Sequence, residues 1–383
     1  MKQVKIFEDI SEIDAESWNK LILDDFPFST YGFLKCLEDS HCLGQERGWS
    51  PRYFCIYEDK DLIAATWGYV KDHSYGEYIF DWEWAEIHYR FGLDYYPKFL
   101  SAIPFTPATG QKILLAEELS LEDQSAIAET LVQSVDQFCK TSEMSSCHFL
   151  FTNENDGGHL EAQDFKTRYS YQFHWHNNEY HEFEDFLNHL RRKRRQQVLR
   201  ERQRVEEQGI SVRFLEEDEL NEANARIMYQ LYLSTIDDKM AAPYLSEEFF
   251  INAFDKLKDI VLVNFAFLED EVVAGSIAFK GKKKLFGRYW GAFETFDCLH
   301  FEVCYYSYIE WAIKNSYQLF EAGAQGPHKH PRGFLPKITR SQHKIYNDGI
   351  AEPIYRFLGI ERTQLEAGIE DVKKNTPFRR DES

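Results

Sequence analysis

Apolar and polar positions change period several times along this chain, and each change marks an element. The opening string KQVKIFE alternates like a strand. Helical spacing follows over residues 15–23 and again over 31–40, after the turn-like segment DDFPFST. RYFCIYE and DLIAATWGYVK flank the polar dipeptide DK, the pattern of a hairpin. An aromatic, acidic stretch, YIFDWEWAEIHYRFGLDYYPKFL, leads into the Pro- and Gly-punctuated loop IPFTPATGQK. Ile127, Leu131, Val135 and Phe138 recur at helical spacing within 121–140, and CHFLFT reads as the strand after that helix.

The second half repeats this grammar. A helix with a strongly basic face is predicted over 183–208, ending at Gly209, a natural C-cap. Strand ISVRFLE, a helix over 219–235 and a further helix after Ser246 come next. Strands IVLVNFAFLED and VVAGSIAFKG flank the turn EDE, and KLFGRYWGAF precedes a long helix over 300–316 and the strand QLFEAG. The order helix–helix–hairpin–strand–helix–strand therefore occurs twice. It predicts an α/β fold on a mixed sheet, with one domain over 1–155 and a second over 156–383 introduced by the basic helix.

Bulk properties narrow the function. A chain of 383 residues, 43% apolar and 16% aromatic, fills about two cores. Its 64 acidic against 44 basic residues give a net charge of −20, which disfavours DNA or general nucleic-acid coating. No apolar run approaches the roughly 20 residues of a membrane span. The N-terminus turns acidic before an apolar signal region forms. Seven cysteines are scattered without a CxxC pair, as expected of reduced thiols, so a cytoplasmic location is predicted.

Three stretches carry candidate chemistry. Residues 191–204 hold eight basic side chains (among them Arg191, Arg192, Lys193, Arg194 and Arg195) against one acid, Glu201. Such a run is either a helix solvated or paired with acids elsewhere, or a phosphate-binding patch for a nucleotide, coenzyme A or a tRNA end. In FHWHNNEYHEFEDFL, His174 and His176 share a strand face, but nothing near them completes a metal set, and no metal is expected. The third stretch combines the helix carrying Glu302, Tyr305 and Tyr306 with a Gly/Pro-rich loop bearing Glu321, Gln325, His328, Lys329, His330 and Arg332. Titratable groups held on a loop after a strand suit a site on a rigid scaffold. Arg288, Tyr289 and Trp290 are expected beside it. Glu302, Glu321 and His328 are the candidate general bases.

The strings IPFTPATGQKIL, FHWHNNEYHEFEDFLNHLRRKRRQQVLRER, LFGRYWG, HFEVCYY and FEAGAQGPHKHPRGFLP resemble, in this order, a bacterial family of FemAB-like N-acyltransferases of the GNAT superfamily. The basic segment RRKRRQQVLRERQRVEEQGISV also resembles the helix before the second domain of FemABX aminoacyltransferases. The resemblance implies two tandem GNAT-like domains and direct transfer of an acyl or aminoacyl group to a small-molecule or peptide amine. No tightly bound cofactor is implied, with acyl-CoA or aminoacyl-tRNA as co-substrate. Glu302, Glu321 and His328 would then handle the proton, while Arg288, Tyr289, Trp290, Tyr305, Gln325, His330 and Arg332 bind substrate. Two departures stand out: Pro327 occupies a position usually acidic in the family, and the acetyl-CoA loop Q/R-x-x-G-x-G/A is absent. These favour the alternative of a non-catalytic module that recognises a cell-wall precursor.

Overall fold

The computed structural model describes residues 2–237, 242–324 and 326–379. Contacts divide the chain into two compact units, residues 1–171 with 338–367 and residues 172–337 with 368–383. The sequence reading divides the chain once, after 155; in the structure the first unit is discontinuous, because it also takes a segment from beyond residue 337.

In unit 1 the elements run β1 (Lys2–Phe7), α1 (Ala15–Lys20), α2 (Tyr31–Asp39), β2 (Trp49–Glu58), β3 (Asp61–Lys71), α3 (Trp82–Arg90) and β4 (Lys98–Ser101). They continue with β5 (Ile113–Leu115), α4 (Leu121–Thr141), β6 (Ser146–Phe149) and α5 (Glu154–Glu161). β1 to β4 pair antiparallel in sequence, and β6 lies parallel to β4. Local chemistry sets the helix starts: Thr30 caps α2, and Ser120 caps α4, with Glu122 and Asp123 in its first turn. The apolar stripe Ile127–Leu131–Val135 of α4 packs on Phe54, Phe99 and Phe149. Beyond the parallel pair the chain folds back on itself. Gly110 N donates to Phe151 O at 3.1 Å, and β5 joins β3. Residues 101–108 and 110–115 are buried.

Unit 2 begins within β7 (Lys166–His176) and continues with α6 (Phe183–His189), α7 (Arg192–Glu207), β8 (Ile210–Phe214), α8 (Glu222–Asp237) and α9 (Glu247–Lys256). β9 (Val261–Leu268), β10 (Glu271–Lys280) and β11 (Lys284–Ala292) form an antiparallel meander, and β12 (Leu319–Glu321) lies parallel to β11 and antiparallel to β7. The single helix predicted over 183–208 is two. Leu190 and Arg191 are extended (ψ 148° and 144°), and the chain tail pairs there: Arg191 N donates to Pro377 O and Arg379 N to His189 O, both at 2.9 Å.

β13 (Leu335–Ile345) and the helix Asp348–Lys374 were not anticipated from the pattern. From β8 to β12 unit 2 runs β-α-α-β-β-β-α-β, and unit 1 follows this order with α3 and β5 inserted, so the helix–helix–hairpin–strand–helix–strand order read from the sequence recurs in both. No helix among the described residues is long and apolar enough to cross a membrane.

Candidate functional site

The site of unit 2 begins where two parallel strands part. β11 and β12 share three registered pairs, from Lys284↔Leu319 to Phe286↔Glu321, after which β12 ends and β11 runs on to Ala292. On the other edge of β11 the register steps from Ala278↔Gly287 to Ile277↔Tyr289 and passes over Arg288. Such a bulge bends the strand and re-aims its side chains. A cavity of about 80 Å³ lies at the divergence, lined by Arg288, Tyr289 and Trp290 of β11 and by His300, Cys304 and Tyr305 of the helical turn opposite.

That turn is π-helical over Glu302–Tyr306, a geometry often found at functional sites. Widening a helix by one residue displaces carbonyls from their usual partners, and here a buried polar group takes them up. Val303 O accepts from Asn264 Nδ2 at 2.9 Å and Ser276 Oγ at 3.1 Å, and Glu302 O accepts from Ser307 Oγ at 2.8 Å. Full satisfaction of buried polar groups holds one conformation. Tyr305 is thereby fixed with its ring against the cavity.

Tyr305 Oη lies 2.9 Å from Nε2 of solvent-facing His328. Burial pushes the Tyr305 hydroxyl well above the usual range, so it stays protonated. Partial desolvation of its ring, together with Lys329 and Arg332, lowers the His328 imidazolium, so the ring is neutral near pH 7. His300 sits 5.8 Å from His328 and 4.6 Å from Trp290, ring centre to ring centre. Burial and the nearby His328, Lys329 and Arg332 pull it down to about 4. Cys304 is not a thiolate, because burial raises its thiol.

Two ion pairs from α7 hold this arrangement. Arg202 grips Glu302 with both fork nitrogens at 3.0 Å and reaches Glu310 at 2.7 Å. Glu201 grips Arg332 (2.9 and 2.6 Å) and also accepts from Tyr306 Oη. Arg332 in turn donates to His328 O at 2.6 Å and stacks on Phe301 at 3.3 Å. The loop 327–332 is bracketed by Gly326 and Gly333, with φ of 128° and 95°. A Cβ on Gly333 would stand 2.7 Å from the Phe186 ring, so only glycine allows that approach.

The remaining candidates lie around this centre. Buried Glu321 ends β12 with Oε2 3.9 Å from His174 Nε2, and burial pulls that imidazole down to about 3. Lys329 is buried, donates to Gly323 O at 2.9 Å, and is pulled down to about 8 by burial and by Arg288. His330 packs near Phe173, ring centres 6.2 Å apart. Among the described residues no three His, Cys, Asp or Glu side chains gather to hold a metal. In the basic run, Arg191 donates to Phe378 O, Arg194 to Gln197 and Arg195 to Glu184 and Asn188. Arg192, Lys193, Arg200 and Arg204 face solvent.

A family model for FemAB-like proteins, described as peptidoglycan biosynthesis/recognition, matches residues 9–380. The chain belongs to the FemAB-like family. The structure of FemX is similar, with 11% identity and a TM-score of 0.53 over 93% of this chain and all of FemX. A conserved protein of unknown function from Bacteroides thetaiotaomicron is also similar, with 10% identity and a TM-score of 0.52 over 89% of this chain and 99% of that one. At such identities the likeness is one of fold. No curated protein matches by sequence.

Set against the sequence, this FemAB-like structure brings Arg288, Tyr289, Trp290 and Tyr305 around one cavity, with His328 hydrogen-bonded to Tyr305. Arg332 and Glu302 lie one step further out, both engaged by α7. Gln325 lies outside the described residues. Two participants went unread. His300 opens the string HFEVCYY without alternation or spacing to mark it. Glu201 did carry a signal, as the sole acid in a run of eight bases.

Proposed function

We propose that unit 2 of this FemAB-like protein transfers an acyl or aminoacyl group from a thioester or ester donor to an amine of a cell-wall precursor. The supporting observation is the Tyr305–His328 hydrogen bond of 2.9 Å at a cavity between diverging parallel strands. The amine attacks the donor carbonyl, and the new C–N bond replaces the C–O or C–S bond. Neutral His328 takes the amine's proton. Tyr305 gives its proton to the departing oxygen or sulfur and regains one from His328, so the site ends as it began. Arg288 beside the carbonyl meets the developing oxyanion. Both substrates are held together, and no covalent enzyme intermediate is needed.

Glu302 then serves through its pair with Arg202 rather than as the base, while Glu321 and Lys329 shape the inner electrostatics. Either donor class, acyl-CoA or aminoacyl-tRNA, carries phosphates. The exposed bases Arg192, Lys193, Arg200 and Arg204 would meet them, a shift along the helix from the 191–195 cluster. Seven free thiols accord with a cytoplasmic setting.

The test is transfer of a labelled group from acyl-CoA or charged tRNA to a precursor amine by wild type, His328→Ala and Tyr305→Phe. Loss of about 10²-fold or more in both folded variants is expected. Wild-type rates in both would remove these roles. Precursor binding without transfer from either donor would replace the enzyme with a recognition module.

A further inference from the structure

We infer that Glu201 is the positioning residue that sets both the placement and the protonation of His328. This rests on the transfer reading for its activity arm only.

Glu201 projects from α7, whose neighbouring exposed arginines face solvent, yet its side chain is largely buried and collects three hydrogen bonds from two residues on two other elements. Arg332 Nε and Nη2 lie 2.9 and 2.6 Å from its two oxygens, and Tyr306 Oη donates to it from the π-helical turn. Gln197 Nε2 adds a fourth hydrogen bond at 2.9 Å. A bidentate carboxylate–guanidinium pair fixes both distance and plane. With its orientation fixed, Arg332 reaches His328 O with Nη1 at 2.6 Å. Glu201 is therefore tied on one side to the backbone of the loop that carries His328. On the other it is tied to the residue adjacent to Tyr305. The two halves of the Tyr305–His328 pair come from segments 23 residues apart in sequence, and Glu201 is bonded to both segments. Misplacing reacting groups by about 1 Å can cost about 10²-fold in rate, so a tie of this kind bears on catalysis without touching substrate.

The same carboxylate has an electrostatic consequence. The charged and titratable groups around His328 are Arg332, Lys329, His300 and Tyr305. Arg332 opposes protonation of His328, and Glu201 offsets that charge. Neutralising Glu201 unmasks Arg332 and drives the His328 midpoint lower, whereas neutralising Arg332 removes the opposing cation and lets it rise.

Opposite signs from two partners of one ion pair are not expected of a bond that merely holds the fold. The experiment compares full-length wild type, Glu201→Gln, Arg332→Gln and, as a mild variant, Tyr306→Phe. His328 is titrated by NMR of its imidazole carbon-bound protons, alongside kcat and KM for transfer. Expected are a lower midpoint in Glu201→Gln, a higher one in Arg332→Gln, and kcat losses of about tenfold to 10²-fold with little change in KM. Tyr306→Phe should lose a few-fold in kcat. Unmoved midpoints, or midpoints that move in the same direction in both charge variants, overturn the inference. If the charge variants do not fold, the Tyr306→Phe kcat decides, and a wild-type value counts against it. A wild type with no transfer activity but with opposed NMR midpoints would sink the transfer reading and leave the ion-pair coupling standing.

Discussion

The two units share one topological feature, a parallel strand pair joined through a helix, and finish it in opposite ways. In unit 1 the space beyond β4 and β6 is taken by the chain itself. Ile103, Phe105, Ala108 and Ile113 are at most 3% exposed, and Lys112 Nζ is spent on the carbonyls of Gly110 and Phe151. In unit 2 the space beyond β11 and β12 stays open as a cavity with a bulge on one wall and a π-turn on the other. Charge follows the same division. Unit 1 buries an ion-paired cluster in which Lys98 Nζ donates to Glu77 at 2.8 Å, Ser74 at 2.8 Å and Asp81. Unit 2 sets neutral imidazoles and an arginine around a cavity. One scaffold supports both a unit closed by its own chain and a unit with an open cavity, and side chains past the strand ends decide which.

The contrast breaks most visibly at Lys98. If unit 1 is structural, Lys98→Met should cost about 3–5 kcal/mol, because buried Asp81 loses its cation and Glu77 keeps only Lys71, 4.0 Å away. Chemical denaturation reads that cost, and the folded fraction should transfer at the wild-type rate. A Lys98→Met protein of normal stability that has lost transfer would give unit 1 a direct part in the reaction.

A smaller effect sharpens the electrostatic half of the contrast. His300 is partly buried and neutral in unit 2, with its folded midpoint pulled from 6.5 to about 4. A depressed histidine gives stability that is fully present above the unfolded midpoint and is lost as pH falls from about 6.5 toward 4. Every tenfold difference in proton affinity between the folded and unfolded chains is worth about 1.4 kcal/mol, so about 2 kcal/mol should disappear between pH 6.5 and 5. His300→Phe should flatten that part of the stability–pH curve in urea unfolding. An unchanged slope would mean that the proton goes elsewhere.

How far the sequence announced this contrast depends on the kind of signal. The hairpin of β2 and β3, the helix α4 and the meander β9 to β11 were legible because each follows a single period and buries one face. The helix after Ser246 was legible too, and in the structure Ser120 and Ser246 cap their helices with their hydroxyls. The break at Leu190 was not legible, because it depends on the tail around Phe378, nearly 190 positions away, pairing with that backbone. The π-turn was hidden for the same reason: Asn264 and Ser276, which satisfy Val303 O, lie on other strands. Residues 300–306 read simply as helix. The helix Asp348–Lys374 escaped because Pro353 stands inside it, near its start, and its face is only partly apolar. For the site, residue types were visible while partners were not. Glu302 looked like a base until Arg202 was seen to occupy both its oxygens.

The smallest predicted effect concerns the outer face of α7, where the open unit would meet a phosphate-bearing donor. The eight bases of the run divide by environment. Arg194, Arg195 and Arg202 are engaged by side chains of unit 2, and Arg191 by a tail carbonyl. Arg200 and Arg204 project to solvent one helical turn apart. Replacing both with glutamine should leave the unfolding midpoint within the range of ordinary surface changes, about 0.5 kcal/mol. Each lost phosphate contact should lower the slope of log binding constant against log salt by about 0.7–0.9. A double variant that weakens charged-tRNA binding with a reduced slope would mark α7 as the donor's electrostatic contact. Unchanged salt dependence for both charged tRNA and acyl-CoA would make these arginines a solvated surface, and donor recognition would then rest on the cavity side chains alone.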